Sequence, residues 1–260
     1  DKWILSELQL LIKEVSEKMD IYDLQKASEP IAGFIDGLTN WYIRRSRRRF
    51  WKSENDSDKM EAYQTLYTVL TTLCKVIAPF MPGIAEEIYR NLTNSESVHL
   101  EIWPEVDEKL IDENLSKEID ITRKIVTLGH GIRSAKTIKV RQPLTKIQVA
   151  LPEKLKMDFD KDVIADELNV KEVEILDDVS RVAEFYLSVN AKILGPKYGA
   201  KVQEIIKMAK EGQFEIMDNG TVKILEYILN PEEIEIGYKG KEGFDVMSDS
   251  GIVVCLDTAI

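Results

Sequence analysis

From Trp3 to about Ala135, apolar residues recur at the three-then-four step of a helix face turned towards a core. Ile4, Leu8, Leu11, Val15 and Met19 form one stripe; Tyr63, Leu66, Tyr67, Leu70, Leu73, Cys74 and Ile77 form another. Between them a second helix is predicted to start at Asp20, whose carboxylate can cap a first turn. It runs to about Lys52, with a kink or break at Pro30, which lacks a backbone donor. Ala78 to Gly83 ends a third helix and opens a fourth through Ala85 to Leu92, and a fifth spans Asn114 to Ala135. After Ile138 the texture changes to short β-branched runs, Ile147 to Leu151, Val170 to Leu176 and Ile252 to Leu256, with turn signals at Asn219-Gly220 and Ser250-Gly251. Helices are predicted over about Lys161 to Leu168 and Lys201 to Lys210. The fold class that follows is α+β: an N-terminal α-helical bundle over residues 1–138, then a smaller mixed α+β domain over residues 139–260.

Composition narrows the class. A chain of 260 residues has room for two domains, and no apolar run approaches the roughly 20 residues of a membrane span, so no membrane is expected as partner. Cys74 and Cys255, both in apolar stretches, give neither a disulfide framework nor metal-ligand spacing, which fits a reducing, cytoplasmic setting. The chain opens abruptly inside an amphipathic helix, as a cut piece of a longer protein would. With 46 acidic groups against 35 basic ones, the net charge of -11 repels phosphate over much of the surface. Any contact with nucleic acid must therefore be local.

One segment reverses that sign. Arg44, Arg45, Arg47, Arg48 and Arg49 stand between Trp41-Tyr42 and Phe50-Trp51, and no acid occurs from there through Lys52. Concentrated guanidinium charge beside aromatic rings suits a surface that meets phosphates and unstacked bases. At about 100° per residue, Ile31, Phe34, Ile35, Leu38 and Tyr42 share a face that continues into Arg45 and Arg49. Those two arginines are expected to be partly buried and to need a carboxylate or a phosphate. Arg44, Arg47 and Arg48 point elsewhere, as phosphate seekers, and Trp41 and Trp51 are the stacking candidates. The plainer alternative is a solvated helix end that pairs with Glu54, Asp56 and Asp58. A second acid-free stretch, Arg133, Lys136, Lys139, Arg141 and Lys146, could extend the footprint or be a basic linker lying over apolar surface.

No catalytic or metal constellation is found. His130 reads as a helix-surface or helix-end residue and His99 as a packed, hydrogen-bonded one; neither has a nucleophile or ligand partner at a meaningful spacing. Leu194-Gly195-Pro196-Lys197-Tyr198-Gly199 has the wrong spacing for a phosphate loop and reads as a turn at a helix start. The carboxylate pairs Glu86-Glu87 and Asp177-Asp178 carry no mechanism alone.

The order of segments resembles the C-terminal part of the isoleucyl-tRNA synthetase family, class I aminoacyl-tRNA synthetases. The matching segments are Asp1 to Ser6, Asn40 to Trp51, Ala62 to Tyr67, Ala78 to Pro82, Ser97 to Leu100, Trp103-Pro104, Lys139-Val140-Arg141-Gln142-Pro143-Leu144 and Glu167 to Lys171. The arginine run favours isoleucyl over the similar valyl enzymes. The last third matches more loosely and leans towards the eukaryote-like branch, which does not carry the C-terminal zinc site of many bacterial members. The resemblance implies a helical anticodon-binding domain followed by a domain that assists tRNA docking. It also implies a parent enzyme that joins isoleucine to its tRNA with ATP and Mg²⁺ and edits misattached valine. None of that chemistry is expected from this fragment, which lacks the two adenylate-forming signatures and the editing insertion; a family member would also continue beyond Ile260. The expected partners are an isoleucine tRNA and the catalytic body of the same polypeptide, with the chain monomeric. The rival readings are a protein-interaction module whose arginines pair with that catalytic body, and a free-standing hydrolase built from scattered acids.

Overall fold

The computed structural model describes residues 1–52, 56–152, 155, 159–176, 183–217, 221–240 and 244–258. Glu54, Asp177-Asp178 and Asn219-Gly220 lie outside the described residues. The chain divides into two compact units, Asp1–Ile119 and Asp120–Ile260.

Unit 1 is helical: α1 (Lys2–Asp20), α2 (Leu24–Asp36), a π-helical segment (Gly37–Ile43), α3 (Arg44–Lys52), α4 (Asp56–Ile77), α5 (Pro82–Leu92) and the start of α6 (Glu113–Ala135). The cap of α2 is Asp23, which accepts from Lys26 N at 3.2 Å, and not Asp20, which still belongs to α1. Pro30 does not break α2: the donor it lacks leaves only the carbonyl of exposed Lys26 without its intrahelical partner, and water can reach it. The irregularity comes seven residues later, in the π-helical segment.

In α1 the stripe Ile4, Leu8, Leu11 and Val15 is buried as predicted. Ser6 and Gln9 are buried beside it, because they hold the crossing chain 103–112. Ser6 Oγ accepts from Asp112 N (2.9 Å) and Gln9 Oε1 from Asp107 N (2.8 Å), while Trp103 Nε1 donates to Ser16 Oγ (2.9 Å). The buried line of α4 takes in Ala62, Thr65, Val69 and Val76 together with Leu73, Cys74 and Ile77 of the predicted stripe, while Tyr63 and Tyr67 of that stripe are left 44% and 43% exposed. Small side chains on that line let α4 approach α1, whereas the bulkier tyrosines stay at its edge. Glu86 on α5 accepts from Ser97 Oγ (3.0 Å) and Val98 N (2.9 Å), so that carboxylate has a structural use. His99, expected to be packed, is exposed on the short turn Val98–Leu100.

Unit 2 contains β1 (Leu144–Ala150), α7 (Lys161–Leu168), β2 (Val170–Leu176), β3 (Ala183–Val189), α8 (Ala191–Tyr198), α9 (Val202–Lys210), β4 (Glu215–Ile216), β5 (Val222–Ile224), β6 (Tyr227–Leu229), β7 (Ile234–Gly240), β8 (Phe244–Asp249) and β9 (Ile252–Asp257). The four-stranded sheet runs β2-β1-β9-β8. Strands β1 and β2 are parallel through α7, and β8 and β9 form a hairpin whose turn residues Ser250 and Gly251 both have positive φ. Strands β3–β7 and β4–β5–β6 make two smaller antiparallel sheets. Leu194 to Tyr198 close α8, with Pro196 inside the helix, and Gly199 at φ 53 opens the short 3-10 turn Gly199–Lys201 that leads into α9, so only the last residue of the segment lies where a turn at a helix start was expected. Lys197 donates there to the buried Glu233 carboxylate (2.6 Å), which holds Glu233 below and Lys197 above their ordinary pKa values.

Two glycines of α6 differ in what surrounds them. A Cβ at Gly129 would come within 2.5 Å of Leu168, which is fully buried; one at Gly131 would meet the Met247 sulfur at 2.5 Å, and Met247 is 39% exposed. An added methyl at 129 overpacks by ~1–3 kcal/mol against ~1 kcal/mol gained in helix propensity. G129A is therefore expected to lower the urea midpoint of unfolding. G131A, beside a side chain free to swing, holds or raises it. Both thiols are buried, and burial, aided by the charges of Asp245 and Asp257, pushes Cys255 up to about 12, while Cys74 is raised by burial. In the native protein neither should be alkylated by iodoacetamide at pH 8, and both should react in urea; rapid native labelling would contradict the packing described.

Candidate nucleic-acid interface

The arginine segment is built on the π-helical turn. Leu38, Trp41 and Tyr42 are buried together in the segment, and the buried line continues through Ser46 and Phe50. The face computed from a regular helix therefore holds: Arg45 and Arg49 are half-buried, and Arg44, Arg47 and Arg48 are exposed. Arg44 Nε donates to the Asn40 carbonyl (2.8 Å), within the irregular segment.

Arg49 is the anchor. Its Nη1 and Nη2 reach Asp1 Oδ1 and Oδ2 at 2.7 and 2.8 Å, its Nε reaches Asp58 Oδ1 at 2.8 Å, and Nη2 also donates to the Asp58 carbonyl at 3.2 Å. Tyr42 Oη donates to the same Asp1 Oδ1 at 2.6 Å; burial raises the phenol's pKa while the Arg49 charge opposes it. This fork on two carboxylates fixes α3 against the chain start and α4. Arg49 thus takes the carboxylate that its position demanded, and of the three acids proposed as helix-end partners Asp58 is one. Glu54 and the side chain of Asp56 are not described, nor is the side chain of Lys52, which closes α3.

The two tryptophans separate. Trp51 is 74% exposed, with the Arg47 guanidinium 5.5 Å from its ring centre, so one aromatic face stays open to solvent. Trp41 is 8% exposed, with Arg44 and Arg45 at 5.9 and 5.4 Å from its ring centre. It is a floor on which guanidinium groups rest rather than an open stacking face. Sequence reasoning missed Tyr63 and Tyr67, assigning both to the core. Tyr63 stacks at a tilt on Phe50 of α3 (5.2 Å between ring centres), and both rings are partly open to solvent on the α4 flank packed by α3. Their i,i+4 spacing was the available signal, but apolar periodicity alone cannot say which flank of a stripe is deepest.

The second basic stretch, all in unit 2, does not act as one surface. Arg133 is 1% exposed and donates to four carbonyls: Lys139 (3.2 Å), Gln142 (3.0 Å), Leu168 (2.6 Å) and Asn169 (3.2 Å). Burial pulls its pKa below the ordinary arginine value. As an RNA ligand Arg133 is therefore corrected to an internal staple. Lys136 pairs with Asp245 (2.8 Å) and Lys146 with Glu172 and Glu174 (3.0 and 2.9 Å). Lys139 and Arg141 are exposed.

Chemically the described residues of the segment present guanidinium charge and aromatic rings. Among the described residues of the chain no three His, Cys, Asp or Glu converge on a possible metal position; one groove of about 460 Å³ is lined by Ser28, Ile31, Ala32, Ile35, Phe80 and Met81, while two smaller ones have Asp120, Arg123 and Lys124, and Lys75, His99 and Glu101, in their walls. No helix among the described residues is long and apolar enough to cross a membrane.

A helical unit carrying one exposed guanidinium cluster agrees with what the chain is related to. The sequence pattern of the anticodon-binding domain of tRNA ligase matches residues 1–149, more than half of the chain, and the chain belongs to that family. Its similar relatives include the isoleucine–tRNA ligases of Clostridium novyi (strain NT), 41% identical over 277 residues, Clostridium acetobutylicum, 42% over 278, and Cytophaga hutchinsonii, 38% over 282. Each comparison takes in the whole of this chain but only 26%, 26% and 25% of the relative, so the chain spans about a quarter of the length of these curated proteins.

Replacing Arg49 by Met strands two carboxylates and a phenol hydrogen bond in a partly buried place. Loss of charge-assisted hydrogen bonds of this kind costs about 1.5–3 kcal/mol. R49M should lower the urea midpoint of the helical unit accordingly; a shift within error would remove Arg49 from the role of anchor.

Proposed function

We propose that the chain is the portion of an isoleucine–tRNA ligase that grips the anticodon arm of its tRNA. The observation that carries this reading is the exposure of Arg44, Arg47 and Arg48 beside the open ring of Trp51, on a helix anchored by Arg49, in a chain of the anticodon-binding family. Phosphate contacts from the three exposed arginines position the arm, and Trp51, with Tyr63 and Tyr67 on the neighbouring helix, offers rings to unstacked bases. Arg45 and Trp41 support the cluster from below.

Residues 1–138 act in this proposal as the anticodon-binding module and residues 139–260 as an appendage that assists docking, with Lys139 and Arg141 as its candidate contacts. Ligation of isoleucine with ATP and Mg²⁺ belongs to the catalytic body of the same polypeptide, in a monomeric, cytoplasmic enzyme. In this proposal the residues of the chain itself hold neither ATP nor the metal. No chemical step is assigned to them.

The test is titration with isoleucine tRNA at several salt concentrations. Each phosphate contact contributes about 0.7–0.9 to the slope of log K against log salt, so R44A/R47A/R48A should weaken binding and flatten the slope by about 2–3. An unchanged slope overturns the proposal. If tRNA binding survives while association with a separately supplied catalytic body is lost, the arginines serve protein contact instead.

A further inference from the structure

The turn that follows α6 is built from inside. Helix α6 ends with Ile138 N donating to the Arg133 carbonyl (2.8 Å) and Thr137 N to the Ser134 carbonyl (3.0 Å), with Thr137 itself at φ 60. This is the left-handed C-terminal closure normally given to Gly, and a β-branched residue holds it at a cost of order 1 kcal/mol or more. Such a conformation persists only where the surroundings over-determine it. Here the side chain of the same Arg133 supplies the constraint, crossing under the turn to bind the carbonyls of Lys139 and Gln142 on one side and of Leu168 and Asn169, at the C-terminal end of α7, on the other. Asn169, itself left-handed at φ 49, donates its side-chain amide to the Val140 carbonyl at 2.9 Å.

Three successive-turn carbonyls, those of Lys139, Val140 and Gln142, are thus drawn inward onto fixed donors. The side chains of Lys139, Val140 and Arg141 are all exposed. Lys136 is occupied with Asp245, so Lys139 and Arg141 are the cations this turn has to offer. Two cations on a tied backbone suit a ligand with regularly spaced anionic groups, because on contact only the side chains, and not the turn itself, remain to be ordered.

We infer that the Lys139–Arg141 turn is a second, preorganised contact for the RNA sugar-phosphate backbone, and that Arg133 and Asn169 are its positioning residues. The inference rests on the proposed tRNA-binding role of the chain. Lys139 and Arg141 touch phosphate; Arg133 and Asn169 act only through them, by holding the turn that displays them.

The test titrates the 260-residue chain with an isoleucine tRNA transcript across salt, comparing K139A/R141A, R133K, N169G, the combination of R133K with K139A/R141A, and R44A/R47A/R48A. Losing two phosphate contacts should flatten the slope of log K against log salt by about 1.5–2 in K139A/R141A. R133K keeps the charge but cannot span four carbonyls, and N169G keeps the left-handed backbone but loses the tie to Val140. Each should reproduce at least half of that flattening, and adding K139A/R141A to R133K should cost less affinity than it does in the wild type. Additive effects, or unchanged binding in K139A/R141A, overturn the inference. Should R133K fail to fold by circular dichroism, N169G decides alone. If R44A/R47A/R48A weakens binding while the turn variants do not, this inference fails and the tRNA-binding role stands; if the wild-type chain does not bind the transcript, that role fails, and this inference with it.

Discussion

A guanidinium group taken out of water must be met by fixed acceptors, and Arg49 in one unit and Arg133 in the other both meet that demand. Leaving such a charge buried without partners costs several kcal/mol, enough to forbid the local fold. Arg49 finds two carboxylates, and with them fixes α3 to the chain start and to α4. Arg133 finds four carbonyls, two of them at the negative end of α7, and with them fixes the end of α6 to the beginning of the four-stranded sheet. The remaining arginines of the run are displayed because the anchor holds the helix that carries them.

The consequence is a division of labour within one composition. Arg44, Arg47 and Arg48 differ from Arg49 in nothing but angle around the helix, yet they face solvent while Arg49 faces acids. The aromatics divide in the same way: Trp41 is a floor under guanidinium groups and Trp51 an open ring. In a chain with net charge -11, a compact positive spot on an ordered helix gives a polyanion one preferred place to approach.

The periodic parts were legible because burial writes itself at a fixed angular step. The stripe of α1, the bounds of α5, α6 and α7, the turn at Ser250-Gly251 and the outward face of Arg44, Arg47 and Arg48 all follow from spacing and turn chemistry. Strands β3 to β8 were not foreseen; β4, β5 and β6 are only two or three residues long, and β3 pairs with β7 across two intervening helices. The end of α8 was misread because Gly and Pro usually interrupt a helix, and here the Lys197–Glu233 pair ties it down. In α4 the second half of the stripe, Leu73, Cys74 and Ile77, is buried as predicted, but in the first half Ala62 and Val69 take the buried line from Tyr63 and Tyr67, because small side chains let α1 approach closely.

By itself the sequence determined that there is a helical part and a mixed part, and that one cationic run interrupts an acidic chain. Local propensity and the angular order of side chains are properties of neighbouring residues, and a linear string records them. Only the tertiary structure decided that Trp41 is covered, that Tyr63 and Tyr67 reach solvent, and that Arg133 is internal while Lys139 and Arg141 are not. Those outcomes depend on acceptors and surfaces brought from distant segments, Asp58 for Arg49 and the α7 carbonyls for Arg133. A basic residue has the same one-letter code whether its partner is a phosphate in solution or a carbonyl inside the fold.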